Sequence, residues 1–516
     1  MVMPVTGKES GPVPIKNDKF LPFTSISAGL GMAISYYSYP FFIKSASAIN
    51  LLLFIFIVLI IFVCCLRTLC NIPVNNSFSL IIKISLLAGA AVIGFSLGIA
   101  ARRVVNTNVE MGLPSGDVIA VSGILKEDPR SFAGGSGLGV LDLRECSGSG
   151  GLRASAKGRV NVFFPSEIIP RLKEFGRGTL IYSDGFISQG RMGLVFNASS
   201  VHIITPASKL ETFRTGLRTF LIEKIMNRSG MSPPIWGGLA SALLLGIRDD
   251  LETDLSDGFR DSGCSHILAL SGMHLGILSG VLAFLLKRPL GKRWASLIGA
   301  LFIIVYVFIA GSQPSLVRSA IMYLIGTFML WGFLNTKPIS LLFMAFIIQL
   351  IFQSDTGVSL SFILSYLALL GILTLGMDIW SIFRGRLPEI INGGLSASLG
   401  AFIITSPVVV LYFGTIRPIG IIAGLILAPI SSLFMIFSLA ALISGFLPLP
   451  IWNIFNWILS LLYNLIKFLI SLARAAPGLS ISNFFPVLVF CILFWAIILY
   501  LKKRDDLHRR SIASFG

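Results

Sequence analysis

The chain has 516 residues, of which 54% are hydrophobic and only 13% charged, with a formal net charge of +17 and a mean hydropathy of +0.85. Water-soluble domains run roughly half apolar and a quarter charged, so this composition excludes an ordinary soluble fold. The excess of Lys and Arg has two readings, orientation of cytoplasmic loops or a route that attracts a polyanion, and charge alone favours the first.

Three apolar runs open the chain, Phe23–Phe42, Asn50–Leu66 and Leu80–Ala101, each near the roughly 20 residues that a helical span needs. Lys8, Lys16 and Lys19 precede the first without a small-residue cleavage site, so this span is expected to stay as an anchor. Residues 1–101 therefore read as amino-terminal transmembrane helices.

Hydropathy then collapses across 102–209, a stretch long enough for a small independent domain. Asp117–Lys126, Leu138–Arg144, Gly158–Phe164, Thr179–Phe186 and Met192–Ile204 read as strands between Gly, Pro, Ser and Asp turn signals. The alternation predicts that Val160, Val162 and Phe164 share one face. About five strands suit a small barrel such as an OB-fold, a shape that holds single-stranded nucleic acid. Phe163, Tyr182 and Phe196 are either stacking platforms or core, and core is the commoner role of an apolar ring in a strand.

Residues 210–264 come next. Leu210–Met226 carries apolar residues at helical spacing between charges and predicts a helix on the membrane surface. Trp236–Gly246 is apolar but too short to span, so it reads as re-entrant or interfacial. Residues 265–504 hold dense apolar runs: His266–Leu286, Trp294–Ala310, Leu316–Leu334, Ile339–Phe352, Val358–Met377, Leu395–Phe413, Ile419–Phe446, Ile451–Ala473 and Phe485–Leu501. The fold class is an α-helical polytopic membrane protein of about 11–12 transmembrane helices with an inserted extracytoplasmic β-rich, OB-like domain. Lys287, Arg288, Lys292, Arg293, Lys337, Arg384, Arg386, Lys502, Lys503 and Arg504 all fall on one side of this arrangement, which the positive-inside rule assigns to the cytoplasm. The same parity puts the β-rich insert outside, against the local charge of Arg102 and Arg103, and leaves 505–516 as a cytoplasmic tail.

Six cysteines without CxxC spacing give no disulfide framework; Cys64, Cys65, Cys70 and Cys491 sit in or beside apolar runs. Four scattered histidines, His202, His266, His274 and His508, supply no two-metal site. The sequence calls for no cofactor, and no P-loop is present. At about 100° per residue, His266, Ser271 and His274 would fall within an arc of about 140° on one continuous helix. Ionisable groups inside a bilayer tend to face cavities or partners. The alternative is a closely packed helix whose imidazoles bond backbone carbonyls. Ser271 and His274 could also serve an intramembrane hydrolase, although no Gly-x-Ser-x-Gly elbow or third member accompanies them.

Leu-Leu-Leu-Gly246 followed by a charged turn, then Phe259-Arg-Asp-Ser-Gly-Cys-Ser-His266-Ile-Leu-Ala-Leu-Ser271-Gly272-Met-His274-Leu, resembles the hallmark segment of the ComEC competence family. Ala310-Gly-Ser-Gln313-Pro314-Ser-Leu-Val-Arg318 is similar to a second family segment. Asp355-Thr-Gly-Val-Ser-Leu-Ser361-Phe362, and Ser396 through Pro407 to Gly414, resemble a third and a fourth in the same order. Met273 and Leu275 depart mildly from the family's usual Ser-Gly-Leu-His-Val.

The resemblance implies a channel carrying single-stranded DNA through the bacterial inner membrane during natural transformation, embedded in lipid and working with an outer DNA receptor and a cytoplasmic motor. A homo-oligomer is a further expectation. His266, Ser271, Gly272, His274, Gln313, Pro314, Arg318 and Asp355 are the candidate residues of the path. Arg318, inside an apolar run, either meets a passing phosphate or makes a fixed contact with Asp355 or helix carbonyls. Many family members end in a metallo-β-lactamase-like domain, whereas this sequence stops soon after its last span, so the chain is expected not to be an enzyme and any nuclease to be separate. Transport of a smaller substrate is the alternative reading.

Overall fold

The computed structural model describes residues 21–42, 91, 93, 96–99, 109–132, 135–149, 151–190, 193–226, 232–332, 337–444, 449–481 and 484–513. The predicted span Asn50–Leu66, most of Leu80–Ala101, and Arg102 and Arg103 lie outside the described residues. Helix α1 (Leu21–Phe42) covers the first predicted span.

The β-rich region contains β1 (Glu110–Met111), β2 (Val118–Leu125), β3 (Arg130–Ser131), β4 (Gly137–Gly148), β5 (Arg153–Lys157), β6 (Arg159–Phe164), helix α2 (Ile169–Phe175), β7 (Leu180–Gly190) and β8 (Gly193–Thr205). Strands β4, β2, β7, β8 and β6 pair in that order, and β6 pairs back onto β4, closing a five-stranded ring. The β6–β8 pair is parallel and the others are antiparallel. In β6 the alternation holds residue by residue: Val160, Val162 and Phe164 are buried, while Arg159, Asn161 and Phe163 face outward. Leu141, Ile181 and Phe196 complete a dry interior, the burial that offsets the ordering of so small a barrel.

Helix α3 (Lys209–Met226) follows. It covers the helix predicted for Leu210–Met226; Arg214 is fully buried, whereas Leu210, Phe213 and Phe220 are exposed. Helix α4 (Gly237–Leu245) is buried along its whole length. Helices α5 (Thr253–Asp261) and α6 (Ser265–Leu268) lead to α7 (Gly272–Ala310).

As a continuous rod α7 would reach about 58 Å, nearly twice the roughly 30 Å hydrocarbon core. It is interrupted at Gly291, whose φ of 76° is left-handed and open to glycine. Pro289 and the cations around the break make it a turn between two passes, matching the predicted spans that end at Leu286 and begin at Trp294.

The remaining helices are α8 (Pro314–Trp331), α9 (Pro338–Phe352), α10 (Leu360–Gly371), α11 (Met377–Phe383), α12 (Glu389–Phe413), α13 (Ile419–Ser444), α14 (Leu449–Arg474) and α15 (Phe484–Ala513). A π-helical turn, Ile372–Gly376, joins α10 to α11. Among the described residues, seven helical stretches are long and apolar enough to cross a bilayer, and α9 is a shorter apolar one. The protein is therefore a multi-pass membrane protein with a β domain.

Two separate apolar cores organise the bundle. One gathers α1, α9, α10, α11, α12 and α15, and the other gathers α3 to α8 with α13 and α14. Short strands β9 (Thr415–Ile416) and β10 (Leu479–Ser480) tie the two at one end. The seam between these cores is where the polar motif residues collect.

Candidate functional site

The predicted helical arc through His266, Ser271 and His274 does not form, because Ala269 is extended (ψ 130°) and separates α6 from α7. His266 lies on α6, is exposed, and its ring reaches to about 4 Å from where a side chain on Gly424 of α13 would begin. His274 is buried in the first turn of α7.

Ser271 is the N-cap of α7. Its Oγ accepts the Met273 N–H at 3.3 Å, and the Ser271 N–H donates to His274 Nδ1 at 3.3 Å. This is a capping box with imidazole in the place usually taken by Glu or Gln. Ser271 Oγ also lies 3.2 Å from that same Nδ1. The pair closes a helix end, and the i, i+3 spacing that suggested a nucleophile and base is the spacing a cap requires.

At Gly272, which opens α7, a methyl carbon would lie 2.6 Å from Ser319 Oγ and 3.2 Å from Arg318 Nη2, so these side chains pack directly on the helix end. Arg318, one turn into α8, crosses the seam. Its Nη1 donates to the Ser365 carbonyl of α10, Nη2 reaches Ser319 Oγ at 3.4 Å, and the guanidinium lies 5.8 Å from the Tyr366 ring centroid. Its Nε has no hydrogen-bond partner. Asp355 is not its partner. That carboxylate pairs with Arg159 of β6, so of the two fixed contacts considered for Arg318, the helix carbonyl is the one formed.

The polar chain continues from Arg318 through Tyr366, whose hydroxyl donates to Gln349 Oε1 at 2.9 Å, to the Pro314 carbonyl, which accepts from Gln349 Nε2 at 3.1 Å. Pro314 occupies the first turn of α8, where its missing N–H costs nothing. Gln313 occupies the N-cap position without a side-chain capping bond, its amide nitrogen 3.2 Å from where a side chain on Gly246 would begin, and Ser315 Oγ donates to the Leu270 carbonyl at 2.5 Å. Gly246, Leu270–His274, Gln313–Arg318 and Gln349–Tyr366, far apart in sequence, thus converge on one seam. Sequence reasoning missed Gln349, Ser365 and Tyr366; a Gln and a Tyr inside apolar runs were the available signal.

The barrel sits over the end of this seam away from the Lys287–Arg293 turn. Besides Arg159 on Asp355, Lys173 Nζ pairs with Asp249 at 2.6 Å, the Ser131 N–H donates to Asp249 at 3.1 Å, and Arg177 Nη1 reaches Ser312 Oγ at 3.4 Å. In these two ion pairs, Arg159 with Asp355 and Lys173 with Asp249, the cation is on the barrel and the carboxylate on the bundle. Behind them Asp128 accepts from Arg214 and from Arg218 Nη1 at 2.6 Å, and Glu211 holds Arg177 at 2.8 Å and Arg214 at 2.9 Å. Burial pushes the Asp128 carboxyl up, but the Arg214 hydrogen bond and the charges of Arg218 and Arg214 outweigh it and hold it below the ordinary carboxylate value.

Of the three ring candidates, Phe196 is fully buried core. Phe163 is exposed and lies 6.2 Å from the equally exposed Phe132. Among the described residues no group of His, Cys, Asp and Glu is placed to hold a metal ion.

Fold and site together define a multi-pass membrane protein with a closed β-barrel docked over a polar seam between two helical cores. The chain belongs to the competence protein family, whose match covers residues 243–504, the stretch that contains every converging segment above. It is 27% identical over 238 residues to ComE operon protein 3 of Bacillus subtilis (strain 168), covering 45% of this chain and 29% of that protein. It is 26% identical over 292 residues to an uncharacterised protein of Aquifex aeolicus (strain VF5), covering 56% of this chain and 67% of that one. The match spans less than a third of the Bacillus relative's length. No solved structure matches.

Proposed function

We propose that the chain serves DNA uptake in competence, as a channel passing single-stranded DNA across the bacterial inner membrane. The observation that carries this reading is the stacking of two features. A barrel bearing an exposed ring pair and outward cations stands over a seam lined by Arg318, Tyr366, Gln349 and Ser319. Rings on a basic surface hold single strands by stacking, and cations recognise phosphates wherever they pass.

The barrel's connectivity supports the OB-type assignment, with α2 between β6 and β7 and a parallel pair closing the ring. On this assignment β6 and β4 form the recognition face, and Phe163 is on it. The chain performs no chemistry itself; the strand is delivered by an outer receptor and drawn or trapped by cytoplasmic partners.

The test is entry of labelled single-stranded DNA into liposomes holding the full chain. Entry that falls steeply as salt rises supports the channel. Passage of small solutes with no strand entering, in folded and correctly oriented protein, reassigns the chain to small-solute transport.

A further inference from the structure

Two faces of α14 run side by side. Ile454, Trp457, Leu461, Leu465, Phe468 and Leu472 are exposed and fall within an arc of about 80° at about 100° per residue, which makes them a lipid-facing stripe. From Ile454 to Leu472 the helix rises about 27 Å, close to the roughly 30 Å of a hydrocarbon core. Beside that stripe, Asn464, Lys467, Ser471 and Arg474 fall within a second arc of about 80°. They lie at the end of the bundle away from the Lys287–Arg293 turn, where the positive-inside rule gives no reason for cations. Lys467 starts inside the hydrocarbon boundary and Arg474 just beyond it, depths from which long cationic side chains reach up to the headgroups.

Helix α5 packs on α14 through Gly258, where a methyl carbon would lie 2.5 Å from Ile470 Cγ2. Alongside that close approach is an open cavity of about 530 Å³, lined by Asp254 and Leu255 of α5 and by Lys467, Phe468, Ser471 and Arg474 of α14. Its volume falls within the roughly 300–1,000 Å³ of small-molecule sites.

Lys467 Nζ meets Glu252 at 2.7 Å, Arg474 Nη1 meets Asp254 Oδ1 at 2.7 Å, and Arg474 Nε meets Asp261 at 3.3 Å. Among the described residues these contacts leave N–H groups of Lys467 and the Nη2 of Arg474 without an acceptor. Both cationic side chains are half-exposed, and that of Asp254 is 71% exposed with its Oδ2 turned to no cation. Half-exposed ion pairs contribute little to holding two helices together, so docking of α5 alone does not account for this cluster. The cavity thus has open cationic donors, an open carboxylate and an apolar wall, and it lies beside the lipid face.

We propose that this cavity binds the headgroup of an outer-leaflet glycerophospholipid carrying a primary ammonium, the chemistry of phosphatidylethanolamine. The lipid phosphate accepts from Lys467 and Arg474 Nη2, the ammonium donates to Asp254, and an acyl chain lies along Phe468 and Leu465. The carboxylates of Glu252, Asp254 and Asp261 around the cations oppose a purely anionic headgroup, and a choline, which has no N–H, cannot donate to Asp254. The same three carboxylates oppose a nucleic-acid strand, whose every unit is negative.

The experiment supplies dioleoyl phosphatidylethanolamine, phosphatidylcholine or phosphatidylglycerol to the full chain in mild detergent and reads retained lipid by native mass spectrometry. One phosphatidylethanolamine per chain is expected, held at least about tenfold more tightly than either of the others. Lys467→Gln with Arg474→Gln should weaken that binding at least about tenfold by loss of charge-assisted hydrogen bonds. Asp254→Asn should bring phosphatidylethanolamine down to the level of phosphatidylcholine. Ser471→Trp, which fills the cavity and leaves every charge in place, should abolish the preference, and it keeps the test decisive should the charge variants fail to fold.

Equal retention of the three lipids by the wild type overturns the site, as does undiminished retention by folded Ser471→Trp or by the folded double variant. A preference for phosphatidylglycerol overturns the assignment of an ammonium to Asp254. Displacement of the lipid by a short deoxyoligonucleotide overturns the proposal in favour of a nucleic-acid surface.

Discussion

Replacing Asp128 by Asn isolates the electrostatic joint between barrel and bundle. Asp128 is the carboxylate that Arg218 meets, and it shares Arg214 with Glu211. The Arg214 and Arg218 side chains are 0% and 12% exposed, so the substitution leaves one guanidinium half-compensated and the other buried without its partner. Breaking a buried pair from one side costs about 3–5 kcal/mol, and the surviving Glu211 contact places this case near ~3 kcal/mol.

Hydrogen exchange of the β2–β3 segment and of α3 reads that loss as an increase of roughly 100-fold in local opening. The effect also has a pH signature. The folded Asp128 carboxyl is held below the ordinary value, so its contribution is fully present above the unfolded carboxylate value near 3.9. It is lost as pH falls through the lower folded value. Wild type and Asp128→Asn should therefore stay apart by a constant factor near neutrality and converge in strong acid. A change below about fivefold at neutral pH, near 1 kcal/mol, would refute the view that this carboxylate joins the two parts.

Ser271→Ala should lower the thermal midpoint by the equivalent of about 1 kcal/mol, the usual worth of a helix N-cap, while strand entry persists; abolished function at unchanged stability would instead restore the nucleophile reading. Phe132→Ala with Phe163→Ala should weaken single-strand binding by about 1–3 kcal/mol per base lost from the platform, measured by fluorescence anisotropy, with folding unaffected because both rings are exposed. Gly400→Ala should destabilise the bundle by about 1–3 kcal/mol or more, seen in thermal unfolding. Its methyl carbon would lie 2.7 Å from both the Gly371 carbonyl oxygen at the end of α10 and the Gly376 nitrogen of the π-helical turn, backbone atoms that cannot swing aside.

The parts of the fold that announce themselves in the sequence are those where burial imposes a period. Val160, Val162 and Phe164 alternate because one face of β6 is dry, and the cations around Gly291 mark a turn because charge avoids lipid. Strand β5 gave no such signal: in Arg-Ala-Ser-Ala-Lys only Ala156 is buried, so hydropathy cannot separate it from a loop.

The candidate site was legible as a set of segments but not as a set of contacts. Arg318 stands out in an apolar run, yet its acceptor is a main-chain carbonyl at Ser365, and carbonyls have no side-chain signature. Asp355 is one of the two fixed contacts that the sequence leaves open to Arg318, and only the placement of the barrel shows that Arg159 holds it. The arc through His266, Ser271 and His274 presupposes an unbroken helix, whereas Ala269 is extended.

Ring closure of the barrel limits how anything can attach to it. Because β6 returns to β4, the backbone donors and acceptors around the ring are already spent on neighbouring strands, and the outermost strand beyond it, β1, is only two residues long. An extended peptide or a second barrel therefore finds little ladder to continue. Whatever comes to this surface meets side chains, so exchanging individual outward residues can retune attachment without disturbing the strand register.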